Sequence, residues 1–363
     1  MKKEKFYSLK KIKEKNCQYN MIIGERSNGK TYSVLKEIIE NYAINGKQGA
    51  IIRRWLDDFR GKRGAVMFDA HVENGLISEL TKGEYNKVVY KSSRWYFARF
   101  DEGLNVDIVD EKPFCFAFAL NSMEHDKSTS YPGVTIICFD EFLTRQYYLP
   151  DEFVLFMNVI STIVRYRDDV VIYMLGNTVN KVSPYFSEMG ISHIKDMKQG
   201  TIDVYTYGDS QLKVAVEYCA SISQSKESSI YFAFDNPKLQ MITSGVWEID
   251  IYPHCPVKYV PKDIRFIYII IFNDEILQCE IVKKDNLIFT FIHRKTTELK
   301  NSENDLIYNL EYNPGRNFRR KITKPTNKRE QLILDMFNQG KVFYQDNEVG
   351  EIVRNYFVTC QKG

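Results

Sequence analysis

The chain has 363 residues with 50 basic and 47 acidic side chains, a formal charge of +3, and 44% hydrophobic residues; this length exceeds one hydrophobic core and predicts two domains, while the charge balance gives no bulk signal for nucleic acid. The longest apolar run, residues 266–272, is seven residues, against the about 20 that a membrane helix needs, and the basic start Met1-Lys2-Lys3-Glu4-Lys5 lacks the apolar core of a secretion signal. Seven scattered cysteines without a C-x-x-C pair read as reduced thiols, so an intracellular protein that does not cross a membrane is expected.

In chain order, residues 19–23 read as a strand and 31–42 as a helix with Val34, Leu35, Ile38, Ile39 and Tyr42 on one face. A second strand spans 48–55, a hairpin 84–99 turns at Lys91-Ser92-Ser93, and 114–120 is a further strand. Residues 134–139 are nearly unbroken apolar sequence, as a strand buried on both faces of a parallel sheet requires. A helix over 150–166 and a buried strand over 170–175 follow. This rhythm predicts an α/β P-loop domain whose parallel core is complete by about residue 180. The polar stretch 221–229 suits a connector, which gives a motor domain over 1–205, a linker over 206–235 and a C-terminal domain over 236–363. In the last, strands are expected over 246–252, 264–272, 276–282 and 287–293 and helices over 328–338 and 347–357, a smaller β-rich α+β domain.

Gly24-Glu25-Arg26-Ser27-Asn28-Gly29-Lys30-Thr31 fits G-x-x-x-x-G-K-[ST] at every fixed position, after a predicted strand and opening a predicted helix. Its glycines let backbone N–H groups face a β-phosphate, Lys30 reaches the β/γ oxygens, Thr31 binds Mg²⁺, and the helix N-terminus adds positive potential. ATP and Mg²⁺ are the expected cofactors. Residues 135–139 lead into Asp140-Glu141, the order of a Walker B motif, with Asp140 on Mg²⁺ and Glu141 polarising the attacking water. The second acid favours hydrolysis over phosphoryl transfer. Arg165 and Arg167 end the next helix, either as favourable charge at a helix C-terminus or as an arginine finger for a neighbouring subunit. Asn177 after its strand is a γ-phosphate sensor or a turn residue. Arg53 and Arg54 either reach nucleotide or polymer or lie in solvent. Arg316, Arg319, Arg320, Lys321, Lys324, Lys328 and Arg329 surround Phe318 in a basic segment that contacts phosphates, an acidic partner or only water. Asp250, Asp274, Glu275 and Asp285 mostly fall at predicted turns without two-metal spacing, so no nuclease is expected, and the five histidines are isolated.

Five stretches then stand together: Ile22-Ile23-Gly24 through Lys30-Thr31, Ile51-Ile52-Arg53-Arg54, Tyr131-Pro132-Gly133 through Asp140-Glu141-Phe142, Arg165-Tyr166-Arg167, and Gly176-Asn177-Thr178 through Pro184-Tyr185-Phe186. Over most of the first 190 residues the sequence resembles the DNA-packaging ATPase, or encapsidation protein, of small short-tailed bacteriophages. The resemblance implies an ASCE-type ATPase ring of five subunits that docks on the portal of an empty prohead in the host cytoplasm and drives double-stranded DNA inward. It implies nucleotide and Mg²⁺ on Lys30 and Thr31, catalysis by Glu141, a trans-acting Arg165, and coupling through Asn177. Terminase large subunits, larger relatives, add an RNase H-like nuclease, of which the C-terminal strands would be a vestigial version. Some relatives use a packaging RNA, which stays open here. The alternatives are a helicase-like or plasmid-mobilising ATPase and an assembly protein that binds nucleotide without turnover.

Overall fold

The apolar runs of the first 220 residues form the middle of a ten-stranded sheet. Its strands are β1 (Tyr19–Gly24), β2 (Gln48–Arg53), β3 (Lys87–Lys91), β4 (Arg94–Phe100), β5 (Val106–Val109), β6 (Cys115–Ala119), β7 (Val134–Asp140), β8 (Val171–Asn177), β9 (Thr201–Tyr207) and β10 (Leu212–Tyr218). They run in the order β3-β4-β6-β2-β7-β8-β1-β10-β9, with β5 also paired to β4. All neighbours from β6 through β10 are parallel, and β3, β4 and β9 add antiparallel edges. This computed structural model describes residues 6–103, 105–125, 129–145, 148–208, 211–220, 246–299 and 305–361, divided into two compact units, Met1–Glu248 and Ile249–Gly363.

Both faces of the parallel strands are covered, which explains why β1 and β7 are apolar without alternation. On one face helix α1 (Lys30–Asn45) buries Val34, Leu35, Ile38 and Ile39 against Ile22, Ile51 and Cys138. It lies so close to β2 that a Cβ at Gly49 would meet Ile38 at 2.5 Å. On the other face helix α2 (Glu152–Val164) buries Phe156, Val159, Ile160 and Ile163 in a layer with Met21, Ile23, Ile137 and Phe139. The hairpin turn at Ser92 and Ser93 has φ of 52° and 58°, the left-handed pair that a two-residue loop between twisted strands requires. No helix among the described residues is long and apolar enough to cross a membrane, and all seven cysteines are free thiols.

Two expectations are corrected. The parallel core is not complete by residue 180, because β10 pairs in parallel with β1, Tyr19 beside Val214 and Ile23 beside Tyr218; residues 212–218 therefore belong to the sheet, not to a linker. The alternating pattern over 246–252 makes no strand. Trp247 is instead buried in the first unit's core, and the Glu248 N–H donates to the Thr178 carbonyl at 2.8 Å. The polar stretch 221–229 lies outside the described residues.

The second unit is a six-stranded sheet of β11 (Ile264–Phe272), β12 (Glu275–Lys284), β13 (Leu287–Arg294), β14 (Leu306–Asn309), β15 (Phe318–Arg319) and β16 (Val342–Tyr344). β11, β12 and β13 are antiparallel hairpins, whereas β14 and β15 add in parallel on the free edge of β11. On the opposite edge β16 adds in parallel to β13. Short helix α3 (Pro184–Glu188) belongs to the first unit, and α4 (Lys328–Asn338) and α5 (Asn347–Gln361) to the second.

Candidate functional site: a phosphate loop facing an acid pair

In an open parallel sheet, ligands bind beyond the carboxyl ends of the strands. The register here puts five positions at or near that edge: Gly24 pairs with Asn177, Asp140 with Leu175, and Arg53 ends β2. A cleft of about 1110 Å³ opens there, lined by Arg26, Lys30, Thr31, Asp140, Glu141 and Asn177 among others. The loop from β1 to α1 turns through left-handed backbone at Ser27 and Gly29, with φ of 58° and 94°, and so presents the N-terminus of α1 to the cleft.

Lys30 is buried. Its ammonium donates to the Glu25 carbonyl at 2.6 Å, to Asn28 Oδ1 at 3.1 Å and to Asn177 Oδ1 at 3.5 Å. Burial pushes its pKa below the ordinary value, with Asp140 and Glu25 pulling the other way. The Thr31 hydroxyl donates to Asp140 Oδ1 at 3.2 Å. Arg53 spans both acids, 2.5 Å from Asp140 Oδ2 and 3.0 Å from Glu141 Oε2, and its Nε is buried without a hydrogen-bond partner. A buried ammonium whose hydrogen bonds among the described residues go to neutral oxygens, in a cleft that also holds a guanidinium N–H without a partner, fits a polyanionic ligand. The hydroxyl of Thr31 and the carboxylate of Asp140 fit a hard divalent cation such as Mg²⁺. The site therefore unites Lys30, Thr31, Asp140, Glu141, Asn177 and Arg53 from four strand ends.

Arg54 does not share the cleft edge with Arg53 in the same way. It is buried and paired through Nε and Nη2 with Glu152, each at 2.8 Å, so the solvent reading of this residue is corrected. Arg165 is exposed, with its Nη2 3.2 Å from the Thr129 carbonyl, and is absent from the cleft lining. Arg167 is occupied, donating to the carbonyls of Pro132, Val134 and Ile163. In the second unit Arg319 pairs with Glu330 at 2.7 Å, and Arg320 Nε donates to the Leu310 carbonyl. Arg316, Lys324 and Lys328 are exposed and Lys321 is half-buried.

Three features escaped the sequence. Phe6 lines the cleft because its neighbour Tyr7 is tied to the loop, Tyr7 N–H to Asn28 carbonyl at 2.9 Å and Ser33 Oγ to Tyr7 carbonyl at 2.7 Å. Glu248 faces Arg26 at 3.4 Å and Arg145 at 3.8 Å. Glu152 receives Arg54 from almost a hundred residues away. None carries a local motif.

A strand, β8, stands between the strand of the phosphate loop and the strand of the acid pair, and this order with these residues defines a P-loop nucleotide-binding domain of the ASCE arrangement. The Podovirus DNA encapsidation protein (Gp16) family model matches residues 1–229, more than half of the chain, and the chain belongs to that family. The DNA packaging protein of Bacillus phage phi29 is 22% identical over 276 residues, 75% of this chain and 74% of its own. That of Bacillus phage B103 is 27% identical over 175 residues, 47% of this chain and 48% of its own. Among solved structures, the viral genome packaging motor assembly of bacteriophage phi29 aligns over 97% of both chains with TM-score 0.57 and 21% identity. The DNA packaging motor of phage phi28 aligns over 99% of this chain and 98% of its own, with TM-score 0.54 and 19% identity. These likenesses extend the shared fold through both units.

Proposed function

We propose that the chain hydrolyses ATP with Mg²⁺ and couples this to driving double-stranded DNA into a preformed prohead, as a ring of five copies docked on the portal in the host cytoplasm. The observation that carries the reading is the convergence of Lys30, Thr31, Asp140, Glu141 and Asn177 on one cleft in a chain of the encapsidation family. Lys30 would hold phosphate oxygens, Thr31 and Asp140 would hold the metal, and Glu141 would accept the proton of the attacking water. Asn177, 3.5 Å from the Lys30 ammonium, links the phosphate position to β8. Asp140, which pairs with Arg53, would exchange that contact for the metal. Arg165, exposed and outside its own cleft lining, serves the neighbouring subunit. The second unit docks and touches DNA without nuclease chemistry, because Asp274 sits in a hairpin turn and Glu275 faces Arg294 at 3.6 Å.

Phosphate release by the full chain, measured with proheads and DNA together and with free DNA alone, tests the reading. Packaging predicts the larger rate with proheads and DNA that becomes protected from added nuclease. A helicase-like motor would respond equally to free DNA and protect none. Ribonuclease treatment of proheads reports whether attachment needs a packaging RNA. In mixed rings, Arg165→Ala subunits should depress activity beyond their own share; strictly proportional loss would remove the trans role.

A further inference from the structure

Glu141 stands at φ 62°, a left-handed backbone that a residue with a side chain adopts only where its surroundings over-determine it. Its side chain is 61% accessible and meets Arg53 at 3.0 Å through one carboxylate oxygen, so its direction is set by that contact and by the backbone beneath it. Arg54 supplies the second constraint. One edge of its guanidinium donates to the carbonyls of Glu141 at 3.2 Å and Phe142 at 2.9 Å, and the other grips both oxygens of Glu152. Glu152 is itself fixed by the Tyr185 hydroxyl at 2.8 Å and the Leu149 N–H at 2.6 Å, and Tyr148 covers the guanidinium at 5.1 Å. Glu152 also opens α2, whose C-terminal cap is Arg165.

We infer that Arg54 is the positioning residue for Glu141: it fixes the backbone that aims the carboxylate at water, and through Glu152 joins that backbone rigidly to the helix that ends at Arg165. The inference rests on the hydrolytic reading of Glu141 and the trans reading of Arg165. A buried ion pair is weak as a stabiliser and better understood as a geometric device, and only a planar fork can serve two carbonyls and one carboxylate at once.

The test is Arg54→Lys in the full chain, which keeps the charge and loses the fork. kcat for phosphate release should fall about 10²-fold, with KM for ATP within about twofold of the parent. Adding Glu141→Gln to Arg54→Lys should slow the protein no further than Glu141→Gln alone, because Arg54 acts through Glu141. A normal kcat in Arg54→Lys, or losses that multiply in the double variant, would overturn the inference. Turnover retained by Glu141→Gln itself would remove the hydrolytic reading and the inference with it, whereas an inactive Glu141→Gln beside a normal Arg54→Lys removes the clamp alone. If Arg54→Lys fails to fold, Tyr185→Phe, which deletes one hydrogen bond to Glu152, should lower kcat several-fold at unchanged KM; an unchanged kcat there overturns the inference.

Discussion

At the carboxyl edge of the first sheet, Lys30 at the start of α1 and Arg53 at the end of β2 face one cleft with Asp140 and Asn177, at least 87 residues further on in sequence, and the Lys30 ammonium is held by neutral oxygens. In segment 316–329 of the second unit the cations are neighbours in sequence, yet several are engaged by partners within that unit. Arg319 meets the buried Glu330, Arg320 meets the Leu310 carbonyl, and the Arg329 guanidinium lies 3.3 Å from the centre of the Phe266 ring. The Glu330 carboxylate is held below its ordinary pKa: burial opposes this, and hydrogen bonds from Thr326 and Arg319 outweigh it. Convergence from distant positions marks a site for a ligand, whereas a run of like charges is sorted by the fold into structural and free members.

The largest effect that separates these uses is expected at Arg319. Arg319→Ala leaves Glu330 buried without its cation and should cost about 1–3 kcal/mol, while Arg316→Ala should stay within about 0.5 kcal/mol. Urea unfolding of both variants checks this, and equal midpoints would break the distinction. Next comes DNA affinity. Neutralising the exposed Arg316, Lys324 and Lys328 should flatten the dependence of log K on log salt by about 0.9 for each phosphate that the protein no longer neutralises, with ATP affinity unchanged; an unaltered slope would assign the segment to the portal or to water.

The smallest effect concerns His293 and Glu280. The hydrogen bond to Glu280 raises the His293 pKa from 6.5, against burial. Its contribution is therefore fully present below about pH 6.5 and is lost as pH rises through the folded value. Burial would raise the Glu280 pKa, but hydrogen bonds from His293, Tyr259 and Gln278 hold it below 4.5. That contribution is present above about pH 4.5 and is lost as pH falls through the lower folded value. His293→Gln should flatten the decline in stability above pH 6.5, and a decline identical to the parent's in urea titrations across that range would refute the pairing.

What the sequence shows plainly is what depends on local spacing. The loop from Gly24 to Thr31, the acid pair Asp140-Glu141 and the helix Lys328–Asn338 are set by neighbours within a few residues. The parallel strands of the first sheet follow from apolar runs except β10, because its place beside β1 is a tertiary choice that periodicity does not encode, and the edge strands β5 and β9 carry no such run. Residues 246–252 alternate like a strand, yet Trp247 is drawn into the core and no neighbouring strand takes up the backbone. Arg53 and Arg54 are adjacent and identical in type, and only the fold separates the one that bridges the acids from the one that clamps the chain beneath them.

The most direct test of the account pairs two substitutions in one assay of ATP binding and phosphate release. Glu141→Gln should bind ATP like the parent and lose turnover by about 10²–10⁴-fold, while Lys30→Ala should lose affinity itself. Near-normal turnover in Glu141→Gln, or unimpaired binding in Lys30→Ala, would contradict the assignment of this cleft as the hydrolytic site.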